Sequence, residues 1–346
     1  LDVKATLAEL SMMPGPSGFE AKVSQRAVEL LREHMDEAYV DGFGNAVALR
    51  RCGKPNAKRI LLDAHLDEIG LMVIGIEEGY LRFQTIGGVD PRILPNQPVL
   101  VLASSTLHGL ITSLPPHVQT GKEQNEASPV EELWIDIGMN QQQAEAAVPI
   151  GTPVVFHSSF TQLRNDYLAG KALDDRAGFV SLLYTAYLLR DKALDVDLYL
   201  MASTREEVGG SGAAVGTFAI SPDCCIAVDV THGRTPDAPK DDTFVLGKGP
   251  VIGIGPNMTR WLTERLIDKA KELGFAWQAE ILPGHSGTNA WKMQVIREGI
   301  TTAVLSIPLK YMHTPYEVIK TSDILETAQL LCAFVEDLGK EGGWPL

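Results

Sequence analysis

The run Arg59-Ile60-Leu61-Leu62-Asp63-Ala64-His65-Leu66-Asp67 decides how the fold is read. Its apolar stretch, 60–62, has the length and composition of a short buried strand, and it ends by delivering Ala64-His65-Leu66-Asp67. Strands that carry chemically able side chains at their carboxyl ends are the habit of an open α/β sheet, which gathers its ligands there. Upstream, residues 46–49 give another short strand behind the turn signals Asp41-Gly42 and Gly44-Asn45. Ser17-Gly18-Phe19-Glu20 has the form of a capping box, and Val23, Ala27, Leu30 and Leu31 recur behind it at helical spacing, so the first helix is expected to begin there.

From about residue 70 to 164 the texture changes to short β-type runs (LMVIGI, YLRFQTI, PVLVLA, HGLITS, LWIDIG, TPVVFH) parted by glycine, proline and polar turns. This segment is expected to form an inserted, small, all-β, barrel-like domain, with a mobile loop at 123–129. Helical pattern returns near Arg176, with Ala177, Val180, Leu183 and Ala186 on one face. An αβ alternation follows, with strands LYLMAS, CIAVDV and TTAVLSIP, and helices over 260–273 and 322–338 stopped by Gly274 and Gly339. The expected fold class is α/β, a mixed open sheet flanked by helices. Its catalytic domain is discontinuous, 1–69 and 165–346, around the β insertion at 70–164.

Five metal-seeking side chains, His65, Asp174, Glu207, Asp229 and His313, nearly all stand where an apolar, strand-like run stops. Each also has an ordinary explanation. His65 with Asp67 can be a core histidine beside a surface aspartate, Asp174-Asp175 can cap a helix, Glu206-Glu207 can be a solvated acidic turn, and His313 can be structural. Asp229, inside Ile226-Ala227-Val228-Asp229-Val230, is harder to explain away, because an unpaired charge is costly to bury there. Together the five supply a nitrogen and an oxygen to each of two metals plus one shared bridge. Asp174 suits the bridge, since two carboxylate oxygens can hold a metal each. That balance favours zinc, cobalt or manganese. Asp67 is placed to orient the His65 ring, and Glu206, the second carboxylate of its pair, is placed as a general base for a water acidified by the cations. The implied chemistry is metal-assisted hydrolysis. His285, in Gly284-His285-Ser286-Gly287-Thr288-Asn289, is placed to reach substrate.

A hydrophobic fraction of 45% over 346 residues is enough for two domains with a sizeable core. Thirty Lys and Arg against 44 Asp and Glu leave a formal charge of -14, with no basic surplus to neutralise phosphates, which disfavours nucleic acid and anionic membranes. No apolar run reaches the roughly 18 residues a membrane span needs. Cys52, Cys224, Cys225 and Cys332 fit no CxxC spacing and are expected to be reduced, mostly buried thiols of a cytoplasmic protein.

The chain resembles the dinuclear-metal aminopeptidases that assemble as tetrahedral dodecamers, a family with members labelled glutamyl aminopeptidase, deblocking aminopeptidase or endoglucanase. The resemblance rests on Ala64-His65-Leu66-Asp67, Ala172-Leu173-Asp174-Asp175-Arg176, Glu206-Glu207-Val208-Gly209, Val228-Asp229-Val230-Thr231 and Tyr311-Met312-His313-Thr314-Pro315. It implies a zinc-peptidase-like sheet and two divalent metals. His65, Asp174 and Asp229 would hold one, and Asp174, Glu207 and His313 the other, with Glu206 as general base and Asp67 as orienting carboxylate. It further implies peptide substrates with a free N-terminus, and a homo-oligomer whose β domain mediates dimerisation. Asn289 stands where relatives carry aspartate, Lys310 where they carry arginine, and Arg205 where the glutamyl type carries glutamine. Asn289 and Lys310 are accordingly expected near the substrate. The main alternative is a glycoside hydrolase, but adjacent carboxylates on an extended chain point to opposite sides rather than facing each other across a sugar. A serine hydrolase is disfavoured because neither Gly284-His285-Ser286-Gly287-Thr288 nor Gly209-Gly210-Ser211-Gly212-Ala213 completes Gly-x-Ser-x-Gly.

Overall fold

The computed structural model of the chain describes residues 1–114 and 128–340. Helix α1 (Val3–Met12) lies ahead of the place expected for the first helix, and Asp2 caps it by accepting from the amides of Lys4 and Ala5. Helix α2 (Ala21–Arg32) falls where the apolar spacing put it. The capping box does not form. Ser17 Oγ donates instead to Asp67 Oδ2 at 2.6 Å, and Glu20 Oε1 accepts from the amides of Gly18 and Arg205. Distant Asp67 has taken the Ser17 hydroxyl, and Glu20 is shared between nearby Gly18 and distant Arg205 instead of reaching back to the cap. Strands β1 (Glu37–Val40), β2 (Ala46–Arg50) and β3 (Arg59–His65) follow.

Strands β4 (Gly70–Glu77), β5 (Tyr80–Ile86), β6 (Pro98–Leu102), β7 (Thr106–Thr112), β8 (Trp134–Asp136) and β9 (Pro153–Phe156) close a barrel in the order β4-β5-β8-β7-β6-β9. Alternate residues such as Leu71, Val73, Leu81 and Phe83 fill it, as the period of a half-buried strand requires. One short helix, α3 (Gln141–Ala147), breaks the β texture, and it has a sequence signal in the Asn140/Gln143 capping box. Of the loop expected at 123–129, residues 123–127 lie outside the described residues.

The chain then runs through β10 (Thr161–Gln162), β11 (Tyr167–Gly170), α4 (Leu173–Leu189), β12 (Asp197–Ser203), α5 (Ser211–Ile220), β13 (Cys224–His232), β14 (Val251–Ile254), α6 (Arg260–Glu272), β15 (Gln278–Ile281), α7 (Ala290–Met293), β16 (Thr301–Leu309), β17 (Glu317–Lys320) and α8 (Thr321–Lys340). Helix α6 ends at Gly274, whose φ of 70° suits glycine. The main sheet is mixed, in the order β1-β2-β12-β3-β13-β16-β14-β15, and β10, β11 and β17 form a small second sheet. Helix α4 is buried on almost every side, which matches its nearly continuous apolar composition.

Alternation along the central strands sorts their side chains. Ile60 and Leu62, Leu198 and Leu200, and Ile226 and Val228 pack with Phe179 of α4 and Phe334 of α8. Leu61, Met201, Ala227 and Val304 pack on the opposite face with Ala213 of α5 and Ala290 and Met293 of α7. On that second face the same period carries onward to Asp63 and His65, Ser203, Asp229 and Thr231, and Ser306. The register aligns them, with Ser203 opposite His65, Asp63 opposite Ala227, and Asp229 opposite Ser306. Polar residues embedded in apolar runs thus share one face at the carboxyl ends of the strands.

Asn45 ties this edge together. Fully buried, it accepts at Oδ1 from Thr204 N at 3.0 Å and Thr204 Oγ1 at 3.2 Å, and donates from Nδ2 to Gly212 O at 3.1 Å. Asn45→Ala is expected to cost about 1–3 kcal/mol in urea denaturation, because it strands buried partners. A loss below about 0.5 kcal/mol would show that the edge does not depend on it.

Candidate metal and active site

His65 ends β3 and is 2% exposed. Its Nε2 lies 3.0 Å from Asp174 Oδ1 and 3.9 Å from Asp229 Oδ1. The Nε2 of His313 lies 3.3 Å from Asp174 Oδ2 and 3.2 Å from Glu207 Oε1. Asp174 therefore turns one oxygen to each imidazole, with Asp229 on one flank and Glu207 on the other. All five side chains expected to meet do meet. Asp175, also near His65, is differently occupied. It accepts at Oδ1 from Gly178 N at 3.0 Å and at Oδ2 from His65 N at 3.2 Å, so it caps α4 while its neighbour faces the cluster.

Asp67 does more than was expected of it. The His65 Nδ1 atom is closer to the Asp67 carbonyl, at 3.1 Å, than to its carboxylate, at 3.5 Å. The carboxylate accepts from the amides of Glu206 at 3.0 Å and Glu207 at 3.1 Å, and so fixes the acidic pair itself. Glu317 plays the matching part on the other side and was not singled out in the sequence. Its Oε2 accepts from Leu173 N and Asp174 N at 2.7 and 3.0 Å, and its Oε1 from His313 N at 3.0 Å. Beneath Asp67, the buried Glu68 binds Lys171 at 2.6 Å and Arg176 at 3.3 Å. The backbone is left-handed at Ala172, Arg205 and His313, all at or near these side chains. Such conformations cost about 1–3 kcal/mol each and persist only where neighbours hold them.

A cavity of about 180 Å³ opens over the cluster, lined by His65, Asp174, Glu206, Glu207, Asp229 and His313 and continuing along Thr231, Glu280, Thr288 and Ser306. None of the three residues expected near substrate lines it. Asn289 is buried beneath the site, donating from Nδ2 to Asp63 Oδ2 and Ser203 Oγ, each at 2.8 Å. His285 is exposed, accepts from Gly287 N, and lies against Trp291 with ring centroids 4.3 Å apart. The Lys310 ammonium sits 5.7 Å above the Tyr167 ring. The cavity wall instead uses Thr231, the last residue of Val228-Asp229-Val230-Thr231, together with Glu280 and Ser306, which stand in no recognisable motif.

The electrostatics of the cluster call for cations. Burial pushes the Asp229 carboxyl far above the usual range, with neighbouring acids adding to it. Burial also opposes charge on Asp174, but hydrogen bonds from His313 and His65 outweigh it and hold that carboxyl low. His313 is pushed up to about 11, because Asp174 and Glu207 overcome the burial that would lower it. In this structure the imidazoles supply the positive charge that the carboxylates demand. One imidazole and one carboxylate on each side of the shared Asp174 carboxylate, His65 with Asp229 and His313 with Glu207, make a nitrogen and oxygen donor set that suits divalent zinc, cobalt or manganese. Glu206 stands apart. Its carboxylate makes no hydrogen bond among the described residues, and burial pushes it up to about 7.

Known proteins share the sequence and the fold of this chain. The sequence profile of the family described as M42 glutamyl aminopeptidase matches residues 44–330. A lysyl aminopeptidase of Pyrococcus furiosus is 36% identical over 331 residues, covering 94% of each chain. A TET aminopeptidase from the marine sediment archaeon Thaumarchaeota archaeon SCGC AB-539-E09 superposes with a TM-score of 0.93 at 29% identity, over 99% of this chain and 98% of that one. A TET1 peptidase of Pyrococcus horikoshii, described as assembling into a tetrahedron or a large octahedral shell, gives a TM-score of 0.84 at 29% identity, over 96% and 99%.

Proposed function

The chain belongs to the M42 glutamyl aminopeptidase family, a metal-dependent aminopeptidase lineage, and from that membership we propose how its own residues cleave a peptide. His65, Asp174 and Asp229 would hold one divalent cation, and Asp174, Glu207 and His313 would hold a second, zinc or cobalt with manganese as an alternative. When bound, the pair supplies Lewis acidity that polarises the scissile carbonyl and acidifies a water. Glu206 takes the proton from that water and delivers it to the leaving amine. Asp67 and Glu317 keep the acidic pair and the bridge in place through backbone amides. The observation that carries this reading is the Asp174 carboxylate, with one oxygen toward each imidazole.

A glycoside hydrolase finds less support, since Glu207, the neighbour of Glu206, is engaged with His313 at 3.2 Å, and the matching family and relatives are aminopeptidases. By analogy with the TET peptidases we propose a homo-oligomer, dimers joined through the β4–β9 barrel and assembled to a tetrahedral dodecamer. The buried thiols of Cys224 and Cys225 suit a reducing compartment such as the cytoplasm.

The test is cleavage of aminoacyl anilides, free and N-acetylated, by enzyme stripped of metal and reloaded with zinc, cobalt or manganese. Only the free set is expected to be cut, and only after reloading. Equal cleavage of the acetylated set, or full activity after exhaustive chelation, would refute the proposal.

A further inference from the structure

We propose that Glu280 reads the first side chain of the peptide and directs the enzyme toward cationic N-terminal residues, lysine and arginine. The proposal rests on the aminopeptidase reading above and adds a substrate class to it.

Glu280 belongs to β15, the edge strand of the sheet, far in sequence from every metal-seeking residue. Register nevertheless puts it on their face. It stands opposite Gly253 of β14, whose neighbour-but-one Val251 stands opposite Ser306, itself opposite Asp229. Gly253 keeps that lane open, because a Cβ there would meet Val304 and Leu282 at 3.0 Å each. Across it, Glu280 Oε1 accepts from Thr231 Oγ1 at 2.6 Å and Oε2 from Ser306 Oγ at 3.3 Å. The carboxylate is thus aimed and half-buried in the wall of the cavity that holds the metal cluster.

Two neutral hydroxyls orient this anion without cancelling it. Among the described residues Glu280 has no lysine or arginine partner, and the cavity wall contains neither. A carboxylate offers about four lone-pair sites, so acceptor capacity remains for an incoming donor. Burial raises the pKa of the Glu280 carboxyl, while the two hydroxyls and the His232 imidazole in the same wall favour its charged form. A half-buried carboxylate with no lysine or arginine beside it gains from an ammonium or guanidinium of the substrate and repels a substrate carboxylate. Neither effect reaches an aliphatic side chain. Norleucine, which matches lysine in length without the ammonium, is the direct comparison.

The experiment compares lysyl, arginyl, norleucyl and glutamyl anilides on the metal-loaded enzyme. The wild-type kcat/KM ratio of lysyl to norleucyl substrate is expected to be about tenfold or more, with glutamyl substrate poorest. Glu280→Gln should lower that ratio by about 10- to 100-fold, the effect of losing one charge-assisted hydrogen bond, whereas Glu280→Asp should keep part of it. A ratio measured within one sample is insensitive to any misfolded fraction. Calorimetric binding of free lysine and norleucine should shift in parallel. A wild-type ratio near or below one, or a ratio unchanged by Glu280→Gln, would overturn the proposal. Equal losses for lysyl and norleucyl substrates would also overturn it, by assigning Glu280 to the α-ammonium that all substrates share. If the metal-loaded wild type cut no free aminoacyl substrate, the aminopeptidase reading would fall and this one with it.

Discussion

Glu206→Gln is expected to give an enzyme that keeps its metals and loses turnover by at least about 100-fold, the usual effect of removing a general base. The two halves of that outcome follow from different parts of the structure. Metal retention follows because the Glu206 carboxylate touches neither imidazole, while Asp174, Asp229 and Glu207 do. The kinetic loss follows because glutamine has the same shape but cannot accept the proton. Asp67 holds position 206 through the backbone amide, so the substituted side chain should occupy the same place. Metal content by mass spectrometry and kcat on a cleavable anilide check both halves. Wild-type turnover in a metal-replete variant would remove Glu206 from the mechanism.

Asp174→Ala is expected to be still more severe, removing both metals, whereas His313→Ala should remove only one. A bridging carboxylate is a ligand to each ion, so its loss opens both positions at once. The substitution also leaves His65 and His313 without the oxygens 3.0 and 3.3 Å away. Metal stoichiometry after dialysis separates the possibilities. If Asp174→Ala retained one tightly held ion, as His313→Ala should, Asp174 would be a ligand to one metal and not a bridge. Circular dichroism should stay native-like, because the change takes one carboxylate from a crowd of like charges.

Much of this was written in the chain. β3, β12, β13 and β16 are apolar runs, the first three ending in polar residues, and each appears in the structure close to its sequence-based limits. His65 and Asp229 were legible because they terminate or interrupt those runs, and Asp174, Glu207 and His313 because they follow shortly after the ends of β11, β12 and β16. Helix α5 was not, since Gly-Ser-Gly and small residues give it little helical signal. Strands β14 and β15 are each only four residues long. Ser17 and Glu20 misled for a different reason, because a local cap competed with partners brought near by folding and lost. Glu280 and Glu317 were invisible, because what each carboxylate does depends on strand register and on a turn of chain that no short motif records. Asn289 is expected near substrate because the resemblance has aspartate at its position, yet it points inward to Asp63.

The Nδ1 atom of His313 lies 3.0 Å from the carbonyl oxygen of Gly88, on the stretch between β5 and β6 of the barrel. A Cβ at position 88 would come within 3.0 Å of that same nitrogen. The stretch between β5 and β6 therefore reaches into the chemistry at two adjacent glycines, Gly87 against Glu207 and Gly88 against His313. A bulkier side chain at residue 88 would press on the His313 ring, so an exchange of barrels between relatives can succeed only if the graft restores a small residue and its carbonyl at that point.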